Sequence, residues 1–408
     1  MMKSFRPVPA GECPHRPESD FLSVAGRAFV TTYVRVPLLC LAGALLATAV
    51  HGSEPSYGWL ARFGGAGSLG THVCRVTTDH ADNIYMTGNF LDPTDLDPST
   101  NVVLHTGRNE AFVAAWGPAP DYRWSVSFGD PTSTHSKQAE GCAIAVDNAG
   151  RVFVAGNIIG NVDLDPGPGV DIHTNVQGAA FLQCFNVTNG NLLWARSIHD
   201  WYAAEAYGVA ADTNGGVYMA GWFGPGTFDL DPTAGVDVRT NPATDDNFNS
   251  GYVIKLHNDG SYRWARIFGG LHANTECYDV DVTSAGDCYA VGGLRASAGT
   301  GGTVDFDDGA GTNLWAPQLD DAFLVALNAT GGVRWVRAWG GSGRDYAVEV
   351  AVTEAGVVVA GVFAGIVDFD PGPGVVSRDA ADGSHFAVMY SHEGEFQWVY
   401  TFPAELEM

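Results

Sequence analysis

Positive charge is what this chain has least of. Its 408 residues carry 21 Lys and Arg against 46 Asp and Glu, a formal net charge of −25. Nucleic acid and anionic bilayers both need clustered Lys and Arg, so a surface this one-sided excludes them as partners. Cysteine is also sparse. Five cysteines follow position 52 (Cys74, Cys142, Cys184, Cys277 and Cys288), an odd number with no CxxC pair. That pattern is neither a complete disulfide framework nor a zinc site. They fall at apolar positions of expected strands, where Cys acts as a small hydrophobe; a Cys277–Cys288 bridge is the one local pairing to consider. HxH, HExxH, GxSxG and Walker spacings are all missing. His135, His199 and His272 stand apart in loops after Trp-led strands.

There is a single long apolar run, VPLLCLAGALLATAV at 36–50, preceded by Arg35 and ending on the small residues Ala47 and Ala49. A charged residue, a short apolar core and a small-residue cleavage site make an export signal. The run is shorter than the about 20 residues a bilayer span needs. Residues 1–52 are therefore read as an export segment with a long leader, and 53–408 as one mature domain. Cleavage leaves 16 basic and 43 acidic residues, a net charge of −27. The expectation is a monomer that is secreted, periplasmic or at the cell surface, with no membrane span after cleavage.

Glycine and tryptophan are plentiful, and they are periodic. Trp59, Trp124, Trp194, Trp264, Trp335 and Trp398 recur at intervals of 65, 70, 70, 71 and 63 residues. Similar phrases open on them: WLARFGG, WSVSFGD, WARIFGG and WVRAWGG. Each of the first five is followed by a second phrase, such as CAIAVDNAGRVFVAG, then an aspartate-rich segment, then a third phrase such as DAFLVAL. A period near 68 residues identifies a repeat architecture. Every phrase is short, rich in Val, Ile, Phe and Tyr, and closed by Gly, Asn, Asp or Pro, which is the pattern of strands and tight turns. Nothing has helical spacing over three turns. The expected class is all-β, with four antiparallel strands per unit: in the second unit near 142–147, 152–156, 180–184 and 194–198. Sheets repeated in this way bury their faces against one another as the blades of a β-propeller. Five internal repeats start near Trp59, Trp124, Trp194, Trp264 and Trp335, and five blades are expected. Because six Trp-led strands serve five complete sets, a sixth blade or an open ring is the alternative. The six repeated tryptophans are expected to wedge between blades, whereas Trp222, outside that set, is the one expected to meet a ligand.

The phrases WARxFGG, VAVDxxGxVYVAG, VDFDPGPG and DAFLVAL resemble the β-propeller repeat of secreted bacterial proteins often called the SBBP repeat, over residues 57–402. The resemblance implies the propeller fold and leaves the biochemical role open.

Two sets of residues are candidates for chemistry. The first is a pair of aspartates one residue apart in every unit: Asp95 and Asp97, Asp163 and Asp165, Asp229 and Asp231, Asp305 and Asp307, Asp368 and Asp370. In extended backbone each pair shares a face. Calcium, which takes six to eight oxygens, fits such a pair; so does turn capping, in which the carboxylate accepts amides two residues on. The second set precedes the first strand of each unit: His72, Glu140, Glu205, Glu276 and Asp345, the last one residue out of step. Around a propeller axis they form a ring at one mouth, suited to a cation or a polyhydroxylated ligand. The functional expectation is an exported, non-catalytic binding or structural module, calcium-stabilised or not, with a protein or glycan partner. A lectin-like carbohydrate-binding propeller and a glycan-processing hydrolase or lyase are the alternatives. Catalytic carboxylates need unlike environments to separate their pKa values, and internal repetition makes environments alike.

Overall fold

The computed structural model describes residues 70–403, apart from 108, 120, 131–138, 201, 244–247, 297–300, 308, 310–311. The expected export segment 1–52 and the strand expected at Trp59–Phe63 lie outside the described residues.

Short β-branched and aromatic runs between Asn, Asp and Gly turns give twenty-six strands and, among the described residues, no helix. None is therefore long and apolar enough to cross a membrane. The first unit comprises β1 (Thr71–Thr78), β2 (Ile84–Phe90), β3 (Thr94–Asp95), β4 (Leu104–His105), β5 (Glu110–Trp116) and β6 (Tyr122–Phe128). The second comprises β7 (Ala139–Val146), β8 (Arg151–Asp163), β9 (Ile172–Asn186) and β10 (Leu192–Ile198). The third comprises β11 (Ala204–Ala211), β12 (Gly216–Phe223), β13 (Thr227–Asp229), β14 (Val238–Thr240), β15 (Ser250–His257) and β16 (Tyr262–Phe268). The fourth comprises β17 (Ala273–Val282), β18 (Cys288–Ala296), β19 (Val304–Asp305), β20 (Leu314–Trp315), β21 (Asp320–Leu327) and β22 (Val333–Trp339). The fifth comprises β23 (Tyr346–Thr353), β24 (Gly356–Asp368), β25 (Ser377–Tyr390) and β26 (Phe396–Pro403).

Each unit forms one four-stranded antiparallel sheet in chain order, so the described residues contain five. Trp398 lies on β26 and completes the fifth sheet. The sheets carry a feature the sequence reading did not resolve. Between the second and third strands a hairpin arm projects beyond the sheet. It is a separate two-stranded sheet in units one, three and four, and a continuation of β8–β9 and β24–β25 in units two and five.

Neighbouring sheets pack face to face. Continuous apolar clusters join the first sheet to the second, the second to the third, the third to the fourth and the fourth to the fifth. The remaining face of the first sheet gathers Val73, Met86, Phe90, Leu96, Phe112 and Trp116 into a cluster of its own. The third strands, such as β5 and β21, are buried along their whole length, which explains the near-continuous apolar reading of EAFVAAW and DAFLVAL. Cys142, Cys184, Cys277 and Cys288 are buried and unbridged, as small core side chains, and Cys74 is half-buried. Cys277 pairs in register with Gly292 and Cys288 with Val282, so the two thiols never face each other.

Tryptophan fastens one sheet to the next. In every fourth strand a bulge falls just before the repeated Trp. Such a bulge re-aims the side chain that follows it. Trp124, Trp194, Trp264 and Trp335 donate their indole N–H to carbonyls in the next sheet: Val187 at 2.9 Å, Asn258 at 2.9 Å, Ala329 at 3.2 Å and His392 at 2.9 Å. The receiving turn needs glycine for two reasons. Gly331 has φ +85°, and a Cβ there would come within 2.9 Å of the Trp264 ring. Two residues after three of these tryptophans, Arg196, Arg266 and Arg337 lie over the indole and donate to the same turns. The WARxFGG phrase is therefore an inter-sheet clasp.

Candidate functional site

Each first strand begins where the second strand ends, so its opening residues and the arms share one edge of every sheet. At that edge His72 pairs in register with Asn89, Glu140 with Asn157, Glu205 with Trp222 and Glu276 with Gly293. These four expected ring members occupy one register position. In the fifth sheet that position belongs to Tyr346, opposite Val362. Asp345 lies just ahead of β23, fully buried, and accepts the amides of Gly341 and Ala364 at 2.9 and 3.0 Å. Burial raises its carboxyl to about 6. Asp345 thus closes a Gly-rich loop, and the out-of-step spacing in the sequence reflects that separate role.

Two residues after this position all five first strands bulge, at Cys74, Cys142, Tyr207, Tyr278 and Val348. The bulges are informative in the third and fourth sheets. Tyr207 donates its hydroxyl to Glu205, and Tyr278 donates to Glu276 at 3.0 Å. Asn249 and Asn274 each donate to the other Glu276 oxygen at 2.9 Å. Trp222 extends its indole N–H to the Tyr207 oxygen at 3.4 Å. The Tyr207 and Tyr278 rings are 6.3 Å apart, as are those of Tyr278 and Tyr346. Tyr346 donates to the buried carboxylate of Asp320 at 2.8 Å. Gly293 makes room for this contact, since a Cβ there would lie 2.8 Å from the Tyr346 ring. Burial holds the Tyr278 and Tyr346 hydroxyls above the ordinary phenol range, so both remain proton donors. The result is an arc of four aromatic rings across three sheets, with Glu205, Glu276 and Asp320 each hydrogen-bonded to one of its tyrosines. Sequence reading found Glu205, Glu276 and Trp222; it missed Asp320 and the tyrosines, Tyr207 and Tyr278 because a bulge breaks the alternation that would have marked them.

One step further along the first strands lies a buried charge cluster. Arg75 of β1 contacts Asp279 of β17 at 3.4 Å and pairs closely with Glu349 of β23. Asp279 also accepts the Val350 amide at 3.0 Å, and Asp281 accepts that of Val352 at 2.7 Å. Burial raises Asp279 to about 8, with Arg75 opposing and Glu349 adding to the rise; burial lifts Asp281 to about 6.

The chain matches no protein-family model and no curated protein. Its site has to be read from its own geometry.

The paired aspartates have a uniform geometry. One oxygen of the first member accepts the amides of residues two and eight further on. Asp163 takes those of Asp165 at 3.0 Å and Asp171 at 2.8 Å. Asp95, Asp229, Asp305 and Asp368 repeat this arrangement. The second member caps the tip: Asp97, Asp165, Asp231, Asp307 and Asp370 accept the amide two residues on. The residue between them is the core plug of the arm. Leu96, Leu164, Leu230, Phe306 and Phe369 are all buried, four of them in clusters between sheets. Each pair therefore staples a turn with a buried apolar centre, which in four of the five arms seals a sheet junction. No group of three or more His, Cys, Asp or Glu side chains is placed to hold a metal ion among the described residues. Asp163→Ala strands two amides and is expected to cost about 1–3 kcal/mol, read as a lowered unfolding midpoint. Millimolar calcium or EDTA is expected to leave the wild-type midpoint where it is; a calcium-dependent rise would give the carboxylates a ligand role.

Proposed function

We propose that the five sheets surround a common axis as a β-propeller, and that the chain is an exported, non-catalytic binding module taking a carbohydrate-like, polyhydroxylated ligand at the axial mouth. Three observations support the ring. The first strands touch in the succession β1, β7, β11, β17, β23. The inter-sheet clasps repeat at each successive junction. Arg75 of the first sheet reaches Glu349 of the fifth. Export rests on the apolar run at 36–50.

The observation that carries the binding reading is the arc of Trp222, Tyr207, Tyr278 and Tyr346, two of whose tyrosines are hydrogen-bonded to Glu205 and Glu276. Pyranose rings present C–H faces that lie on aromatic side chains, and their hydroxyls match carboxylate and phenol partners. The same geometry speaks against catalysis. Glu205 and Glu276 each accept the hydroxyl of the tyrosine two residues on, and Glu276 accepts two asparagine amides besides, so both carboxylates are already engaged by the protein's own donors.

A glycan array followed by calorimetry tests the proposal. Tyr278→Ala is expected to weaken the best glycan at least about tenfold, or 1.4 kcal/mol, while Tyr278→Phe retains most of the affinity. Absence of any glycan ligand, or equal binding by Tyr278→Ala, sinks the carbohydrate reading. Release of shortened glycan that disappears in Glu205→Gln or Glu276→Gln would make the protein an enzyme.

A further inference from the structure

The arms carry a second repeated feature that the axial mouth does not use. Counting from the first aspartate of each pair, the residues seven and nine positions on are exposed in all five arms. They are Val102 and Leu104, Val170 and Ile172, Val236 and Val238, Thr312 and Leu314, Val375 and Ser377. Eight of the ten are apolar. The four valines at the first position are 72 to 76 % exposed, and the four apolar residues at the second are 53 to 61 % exposed. These eight make up most of the fourteen large apolar side chains that stand in solvent among the described residues.

Their outward direction follows from the residues that alternate with them. His105 bonds Ser125 and Ser127 of β6, and His173 bonds Ser197 of β10. Asp237 receives the Tyr262 hydroxyl of β16, and Arg378 donates to the Val399 carbonyl of β26. Alternate residues of an arm therefore grip the fourth strand of their own sheet, and pleating turns the apolar set away from it. Strand propensity does not account for the choice. Leu104 and Leu314 are not β-branched, and exposed Thr106, Thr174 and Thr240 one step further show that threonine is tolerated on the same face. Single exposed apolar residues need no explanation, but a set repeated in register across five units does.

Charge identifies the occupant. The arm segments 92–106, 160–175, 225–241, 301–317 and 365–380 hold fifteen aspartates against two arginines, Arg239 and Arg378, a net charge of −13. A second copy would bring the same charge to the interface, and anionic lipid would be repelled. We propose that the arm tips form an interaction surface for a cationic polypeptide, one that pairs apolar side chains with Lys or Arg. The apolar studs supply contact area, and the surrounding aspartates supply attraction and steering.

Labelled peptides alternating Lys with Val, Lys with Ser, and Glu with Val, titrated against the full chain, test this. The Lys–Val peptide is expected to bind at least about tenfold more tightly than Lys–Ser, with affinity falling as salt rises. A variant carrying Val170→Thr, Ile172→Thr, Val236→Thr and Val238→Thr is expected to lose that advantage with an unchanged unfolding midpoint. Tyr278→Ala is expected to bind the Lys–Val peptide as the wild type does, which separates this surface from the axial mouth. Equal binding of Lys–Val and Lys–Ser, or tight binding of Glu–Val, overturns the proposal. So does a wild-type dimer that the threonine variant dissociates, since the occupant would then be a second copy.

Discussion

Arg75→Met is expected to cost about 3–5 kcal/mol, the usual consequence of removing one member of a buried ion cluster. The Arg75 side chain is 11 % exposed, and its two partners sit in sheets four and five of the sequence order. Methionine fills comparable volume, so the loss reports chiefly on charge: Asp279 and Glu349 would face each other without a cation. Urea unfolding measures the change, and a midpoint shift at constant slope marks it as a stability effect. A cost below about 1 kcal/mol would place Arg75 among ordinary surface pairs and remove one support for a closed ring.

The same cluster sets a pH dependence whose sign is unusual for an aspartate. Asp279 is raised in the fold to about 8 by burial, whereas an unfolded aspartate titrates near ~3.9. Between those values the folded chain holds a proton that the unfolded chain has released. The Asp279 contribution is therefore fully present below about pH 4 and is lost as pH climbs toward 8. Asp281, at about 6, adds to the fall over the lower half of that window. Capping carboxylates such as Asp212, held low by the Gly216 amide, the Tyr218 hydroxyl and Lys255 against the opposing effect of burial, behave oppositely and lose their contribution in acid. Asp279→Asn keeps an acceptor for the Val350 amide and abolishes the ionisation. Its stability relative to wild type is expected to improve from pH 5 to about pH 8 and to level off above that, and a flat difference across the window would refute the buried-proton account.

How much of this was legible beforehand follows from locality. The four strands per unit, the Trp clasp and the capping aspartates depend on residues close in sequence and repeated, so one unit explains the others. The arms were partly legible. Their aspartates stood out, while Leu164 and Phe306 between them looked like ordinary strand alternation, although they seal the sheet junctions. The shared register position of His72, Glu140, Glu205 and Glu276 was legible in four units. In the fifth, Asp345 answers to a loop, and only the pairing of Tyr346 with Val362 shows which residue stands in that position. The Arg75 cluster was invisible because it breaks the repeat. Where β1 has Arg75, the equivalent positions after the bulge are Ala143, Gly208, Asp279 and Glu349. A charge among small residues at a crowded position was the available signal, and pairing it required contacts across more than two hundred residues.

Trp264→Ala is expected to cost about 3 kcal/mol, near the lower end for large aromatic truncations because the ring is only partly buried. The substitution removes the indole from the cluster joining sheets three and four, the hydrogen bond to Ala329 and the platform beneath Arg266. Trp398→Ala is the internal control. That indole contacts Tyr400 at 5.3 Å but makes no clasp to another sheet among the described residues, and its loss is expected to cost about 1 kcal/mol or less. The shape of the transition carries more information than the cost. Repeats that touch only their neighbours unfold as a sum of unit and interface terms. In an open row, weakening the third junction separates three sheets from two, and calorimetry would resolve two steps. In a closed ring the sheets on either side of the weakened junction remain connected the other way round, through Arg75 and Glu349, so Trp264→Ala unfolds in one step at a lower temperature. One step in Trp264→Ala and two in the double variant with Arg75→Met is the outcome a closed five-sheet ring requires.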